Sequence, residues 1–284
     1  MTRNLVSTKQ LQRSDLFKMW AIVESALSDS TPVLSSNVAL LFDSPSTRTK
    51  FGFEHAAHKL GARTICLDGT GSRLASGESL RDSLHTLQQM SDQIIVVRTR
   101  APLSQLDLGD IRVINAGDAE EHPTQALVDL FTIATLLGQP LSDIGDFTIY
   151  CCAGRGAPIR PIVSLCWLLQ TLGKGRVLIN SELPLSNLDL PRLSIVDSRT
   201  SPSDQRATFG YVLESFDEDG NIQPSAWVNA QLREMSSLRN LHPLPRLEAT
   251  NVVIKDEDLK NPVSTQLKLQ VPVKMSALLW VENG

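Results

Sequence analysis

VALLFDSPSTRTKFGFEHAAHKLGARTICL, residues 38–67, decides the fold. Val38 to Phe42 is an unbroken apolar run of strand length. Continuity without alternation marks a strand covered on both faces. A loop of small polar residues follows. Residues 49–61 read as a helix ending at Gly61, the residue type that tolerates the left-handed C-terminal turn. Residues 63–67 return as a strand. Strand, helix and strand in this order form a parallel crossover unit, and the pattern extends outward from it. A helix is expected over 80–90, strands over 94–98 and 112–115, and an apolar-rich helix over 124–137 closed by Gly138.

Residues 139–146 carry Pro140, Asp143, Gly145 and Asp146 and read as a boundary. The alternation then restarts. Strands are expected over 147–152, 177–180, 193–196 and 211–213, with a helix over 159–172 stopped by Gly173. Residues 271–281 are periodic enough for a closing helix. The expected architecture is α/β, with two doubly wound parallel-sheet domains and the C-terminal helix packing back on the first. The expected division is 1–138 with 263–284, and 139–262. In open parallel sheets, ligands sit beyond the carboxyl ends of the strands. Chemistry is therefore sought after Phe42, Leu67, Arg98, Asn115, Cys152 and Leu241.

The 284 residues hold 42% hydrophobic and 20% charged side chains, with a net charge of −4, which excludes global disorder. No long basic run points to nucleic acid. No stretch approaches the roughly 20 apolar residues of a membrane span. The polar first eleven residues carry no hydrophobic signal region, so a cytoplasmic location is expected. The spacing of Cys66, Cys151, Cys152 and Cys166 fits neither a disulfide framework nor a zinc site. Three of them lie in apolar surroundings that suit buried free thiols.

Five groups of residues carry candidate chemistry. Asp43 to Thr49 joins a strand to a helix start, where unpaired N–H groups, hydroxyls and the Arg48 guanidinium together suit a phosphate. The plain alternative is a Ser or Thr cap beside a surface arginine. Ala116 to Gln125 holds His122 and Gln125 in the equivalent position, where an imidazole can polarise a carbonyl or simply cap the helix. Arg98 ends a buried strand and calls for an anion, either a ligand or a salt-bridge partner. Arg155 and Arg160 surround the Gly154–Gly156 turn. That turn is no dinucleotide fingerprint, because Ile159 stands where the third glycine belongs. Leu241 to Arg246 (LHPLPR) is stiffened by two prolines, and its backbone carbonyls suit an amino or amide group.

Together these segments resemble the aspartate and ornithine carbamoyltransferase family, its aspartate branch in particular. SPSTRTKFGFEHAAHKLGA (44–62) is similar to the family's S-T-R-T motif and its following helix. NAGDAEEHPTQALVDLFTI (115–133) is similar to the H-P-T-Q segment, and LHPLPR to the loop of the second domain. The resemblance implies a first domain for carbamoyl phosphate, a second for the amine acceptor, and a homotrimer with sites at subunit interfaces. It implies that Ser46, Thr47, Arg48 and Thr49 hold the phosphate. Arg98, His122 and Gln125 would take the carbamoyl end, with catalysis resting on Arg48, His122 and Gln125. Leu241 and Pro243 would offer backbone carbonyls, and Arg160 would contact the acceptor. No metal or organic cofactor is implied.

Departures from the family pattern bear on the acceptor. The family's mobile loop from a neighbouring subunit carries a serine and then a lysine. Ser72 fits the serine, but Ser76 stands at the lysine position, Arg73 is three residues off, and no lysine occurs between Lys59 and Lys174. The family's Arg-x-Gln segment is replaced by Glu214-Ser215-Phe216-Asp217-Glu218-Asp219. Such an acidic segment repels a dicarboxylate and suits a cationic or neutral amine. Lys274 and Met275 lie near the family's arginine in the last helix. Three readings follow: carbamoyl transfer to an amine other than aspartate; a catalytically silent relative serving as a structural or regulatory partner of a homologous chain; and ordinary aspartate carbamoyl transfer with compensating residues.

Overall fold

Six residues, Asn37–Phe42, form strand β1, and five of them are buried. Ser46 then precedes helix α2, Thr47–Lys59, whose buried residues Thr49, Gly52, Phe53, Ala56 and Ala57 recur at the spacing of one helical face. Strand β2, Thr64–Asp68, pairs parallel to β1. Helix α3 is Leu80–Met90, strand β3 Gln93–Arg98 and strand β4 Val113–Asn115. The sheet order is β2-β1-β3-β4, all parallel. The chain leaves β1 toward one edge and returns on β1's other side as β3. The carboxyl ends of β1 and β3 therefore flank a topological switch point, where open α/β sheets bind ligands. Register places Phe42 opposite Arg98, and Val97 opposite Asn115.

This computed structural model describes residues 3–28, 32–44, 46–68, 77–90, 93–182, 189–196, 202–203, 205–243 and 262–284. They divide into two compact units, 1–128 with 268–284, and 129–267. The division falls inside helix α4, Pro123–Leu137, and inside the last helix, α7, Pro262–Glu282.

The second unit repeats the logic. Strands β5 (Thr148–Ala153), β6 (Arg176–Ser181), β7 (Leu193–Ile195), β8 (Phe209–Leu213) and β11 (Arg239–Leu241) make a parallel sheet of order β11-β8-β5-β6-β7. Its switch point lies between β5 and β8. Helix α5, Arg160–Leu172, ends at Gly173 with φ 75, the left-handed cap expected there. Two elements absent from the sequence reading follow β8. These are a small antiparallel hairpin, β9 (Ser215–Phe216) with β10 (Ile222–Gln223), and helix α6, Ala226–Glu234. Helix α1, Arg13–Leu27, is a third such element; it buries Leu16, Met19, Val23 and Ala26.

The C-terminal helix packs on the first unit as expected. The Trp280 indole donates to Asp15 Oδ1 at 3.0 Å, and Glu282 Oε1 accepts from the backbone N–H groups of Ser35 and Ser36, both at 2.8 Å. The helix starts within a residue of the 263 expected for the C-terminal segment, nine residues before the periodic stretch 271–281. Its early part buries Val263, Gln266 and Leu269 on one side, whereas 272–281 is buried all round. The strongest apolar signal therefore lies in its second half. Among the described residues no helix is long and apolar enough to cross a membrane. Cys151, Cys152 and Cys166 are buried, and burial pushes the Cys152 and Cys166 thiols up to about 12. The Glu214 charge adds to the shift at Cys152.

Candidate active site

The switch point of the first unit gathers the expected residues from three loops. After β1, Asp43 acts as a tie: its Oδ2 accepts from Thr99 Oγ1 at 2.8 Å and from the Arg100 N–H at 3.1 Å. That bond fastens the loop after β1 to the loop after β3. Ser46 begins α2 with an extended backbone, and its hydroxyl donates to Thr49 Oγ1 at 2.8 Å instead of capping a backbone N–H. Thr49 is buried, Thr47 and Arg48 are exposed, and no acidic side chain occupies the first turn. A helix start with open donors, hydroxyls and a guanidinium favours an anion. Partial desolvation lowers the Arg48 pKa, the direction in which burial moves a cation.

Arg98, the last residue of β3, donates from Nη1 to the Ala116 carbonyl at 3.1 Å. The loop after β4 is held by Asp118, whose Oδ1 accepts from the N–H groups of Glu120 and Glu121 and whose Oδ2 accepts from that of Leu103. Glu121 is turned away from the sheet end. Its carboxylate takes the hydroxyl of Ser7 and both the N–H and hydroxyl of Thr8. His122 opens α4, and its carbonyl accepts from the N–H groups of Gln125 and Ala126. Its Nδ1 lies 3.5 Å from the Thr124 hydroxyl.

Arg98 and His122 both approach Gly117. Its φ is 111, and a Cβ there would stand 2.7 Å from Arg98 Nη1, 3.0 Å from His122 Cδ2 and 3.2 Å from His122 Nε2. A guanidinium and an imidazole flank the same bare backbone position. Sequence reasoning names Arg98 and His122 but misses the glycine that joins them. It also passes over Gln270, whose Nε2 donates to Gln125 Oε1 at 3.4 Å. Ser72, Arg73 and Ser76 lie outside the described residues.

In the second unit, the Gly154–Gly156 turn is packed shut. A Cβ on Gly154 would meet the Ser215 hydroxyl, one on Gly156 the Phe216 carbonyl at 2.5 Å, and the Phe216 N–H donates to the Arg155 carbonyl at 2.7 Å. Arg160 is half-buried in the first turn of α5. Leu241 is buried at the end of β11, and Pro243 is half-buried two residues on. The rest of the LHPLPR loop, residues 244–246, lies outside the described residues.

The acidic segment after β8 divides in two. Glu214 is buried and pairs with His242 across 3.5 Å. The His242 N–H donates to Gln266 Oε1, Gln266 donates to Asp129 Oδ1, and the Tyr211 hydroxyl donates to Asp129 Oδ2. Burial, and then the Asp129 charge, drive the Tyr211 hydroxyl well above its usual pKa. Asp217 is held inside the β9–β10 hairpin by the Asn221 N–H at 2.8 Å and the Gln223 amide at 2.7 Å. Glu218 and Asp219 remain exposed. Of the four carboxylates expected to face an acceptor, two are thus engaged within their own unit.

The buried pair makes a stability prediction. His242→Leu leaves the Glu214 carboxyl without that partner in a dry environment, at a cost of about 3–5 kcal/mol. Glu214→Leu combined with His242→Leu recovers most of the loss, because both polar groups are then gone. Urea unfolding midpoints of the single and double variants check this. A single variant within about 1 kcal/mol of wild type would show the pair to be idle.

Known proteins fit this geometry. Residues 3–135 match the family described as aspartate/ornithine carbamoyltransferase, carbamoyl-P binding domain. The aspartate carbamoyltransferase catalytic subunit of a Nitratiruptor species is 31% identical, over 98% of this chain and 98% of that protein. Among solved structures, aspartate transcarbamoylase from Trypanosoma cruzi with carbamoyl aspartate and phosphate shares the fold. Its TM-score is 0.73 and its identity 24%, over 99% of this chain and 95% of that one. A mitochondrial ornithine carbamoyltransferase from Coccidioides immitis shares it too, with a TM-score of 0.76 and 20% identity over 100% and 98%. The Nitratiruptor relative aligns through both units and the last helix, so the chain belongs to the aspartate/ornithine carbamoyltransferase family.

Proposed function

We propose that the chain transfers the carbamoyl group of carbamoyl phosphate to a small amine other than aspartate. The observation that carries the donor half is the approach of Arg98 and His122 to the bare backbone of Gly117, together with the open start of α2 at the same end of the sheet, with Ser46, Thr47, Arg48 and Thr49. In this reading the hydroxyls and Arg48 take the phosphate. Arg48 and His122 polarise the carbonyl oxygen, and Gln125 holds the carbamoyl end. The amine nitrogen attacks the carbonyl carbon and forms a C–N bond. Charge collects on the oxygen, where fixed donors meet it. The bond from carbon to the bridging oxygen then breaks, phosphate leaves with the electron pair, and the amine gives up a proton.

The acceptor half is assigned to the second unit, with Arg160 as its contact, while Leu241 and Pro243 offer backbone carbonyls to the transferred carbamoyl group. A non-aspartate acceptor is supported by Glu214-Ser215-Phe216 standing where the family carries Arg-x-Gln, since Glu214 supplies no cation for a carboxylate. The exposed Glu218 and Asp219 add negative charge to that segment. Ser76 at the loop lysine position favours the second reading, a catalytically silent partner of a homologous chain. The expected assembly is a homotrimer in the cytoplasm.

Titration calorimetry with carbamoyl phosphate, with inorganic phosphate as control, tests the donor half. Screening the same sample against cationic, neutral and acidic amines for carbamoylated product tests the acceptor half. Binding with product from a non-aspartate amine is expected. Carbamoyl aspartate as the main product would overturn the acceptor assignment. Binding without product would favour the silent partner, and no binding at millimolar ligand would overturn the donor assignment.

A further inference from the structure

Lys274 lies in the buried half of α7, with 2% of its surface exposed. Burial of an ammonium is costly without compensation. Its Nζ donates to the Gln270 carbonyl at 3.2 Å and to Gln270 Oε1, and stands 5.7 Å from the centre of the Phe53 ring. A Cβ on Gly52 would meet the lysine's Cε at 2.8 Å and its Cδ and Nζ at 3.0 Å. Gly52 is therefore the gap in α2 through which the lysine chain passes. The charged group facing it from α2 is Arg48, α4 presents the uncharged Gln125, and α7 itself presents Gln270. No carboxylate among the described residues contributes to its charge balance.

A protonated ammonium donates and never accepts. It therefore fixes the Gln270 amide with Oε1 toward the lysine and Nε2 toward Gln125. Gln270 Nε2 then donates to Gln125 Oε1, which fixes the second amide in turn. We propose that Lys274 is a positioning residue for the carbamoyl end of the donor site, setting the orientation of Gln125 through Gln270, with Gly52 kept bare to admit it. This deepens the proposed function and rests on the donor assignment. Burial first, and then the Arg48 charge, bring the Lys274 pKa down to about 7. Above that pH a neutral amine both donates and accepts, so the two amides lose their fixed polarity. The hydrogen-bond relay ends at Gln125 and includes none of Ser46 to Thr49, and Lys274 acts on Arg48 only through its charge, so cutting the relay should affect carbamoyl phosphate more than inorganic phosphate.

The test is calorimetric titration of the full chain with carbamoyl phosphate and with inorganic phosphate, from about two pH units below the lysine's folded pKa to about two above it. Lys274→Met, Gln270→Leu and Gly52→Ala are compared with wild type. Each variant should weaken carbamoyl phosphate binding about tenfold, the scale of one lost hydrogen bond in the site, and Gln270→Leu, which keeps the lysine charge, should leave phosphate binding within about twofold. Wild-type carbamoyl phosphate affinity should fall as pH rises through about 7. The Lys274→Met profile should lack that inflection. Gln270→Leu keeps the lysine and cuts the relay, so it separates lost positioning from a damaged helix. Equal weakening toward both ligands in Gln270→Leu, or a pH profile unchanged in Lys274→Met, would overturn the inference while leaving the donor assignment intact. Absence of carbamoyl phosphate binding in wild type would overturn both.

Discussion

Arg48→Ala should remove carbamoyl phosphate binding at millimolar concentration, a loss of at least about 100-fold in affinity. The guanidinium stands in the first turn of α2, a turn with no acidic residue, and partial desolvation already lowers its pKa. A cation held in that state gains on meeting an anion, because charge-assisted hydrogen bonds replace water it has partly lost. The neighbouring groups cannot substitute for it. The Ser46, Thr47 and Thr49 hydroxyls are neutral donors, and backbone N–H groups carry partial charge alone. Fold stability should change little, since the Arg48 side chain is exposed at the helix start. Parallel calorimetry and urea unfolding separate the two effects. Retained affinity with unchanged stability would move the phosphate site away from this helix.

The parts of the fold legible in the sequence were those driven by apolar burial. The runs 38–42, 94–98 and 147–152 appear as buried strands within a residue of the expected ends. Arg239–Leu241 is a strand with one apolar residue, formed because β8 offers it a parallel edge, and no local pattern announces that. The first half of α7 is one-sided and polar, so its periodicity fades beside the wholly buried second half. Candidate residues were legible where chemistry and strand end coincide, as at Arg98 and His122. What stayed hidden depends on which side chains meet across the fold. Glu214 looks like an acceptor carboxylate until His242 is seen 3.5 Å away. Lys274 and Gly52 are far apart in the chain, yet each accounts for the other.

Gly117→Ala should disable transfer while the chain still folds. At φ 111 an L side chain is strained, at a cost of about 1–3 kcal/mol. Urea unfolding should report that loss. The larger consequence is local. The new methyl would stand 2.7 Å from Arg98 Nη1 and 3.0 Å from His122 Cδ2, closer than nonbonded atoms tolerate. The backbone there is fixed by the Asn115 side chain, which accepts from the Gly117 N–H at 2.8 Å, and by the Gly117 carbonyl, which accepts from Thr99 N–H at 3.2 Å. The side chains must therefore give way, and they move apart. A displacement of about 1 Å at reacting groups lowers rate on the order of 100-fold. The expected signature is a fall in kcat larger than the change in KM, because polarising the carbonyl matters most as charge develops on its oxygen. Removing the imidazole alone, in His122→Ala, should give a comparable fall in kcat. If Gly117→Ala turned over at near wild-type rate, the meeting of Arg98 and His122 would be packing, and carbonyl polarisation would have to come from elsewhere in the first unit.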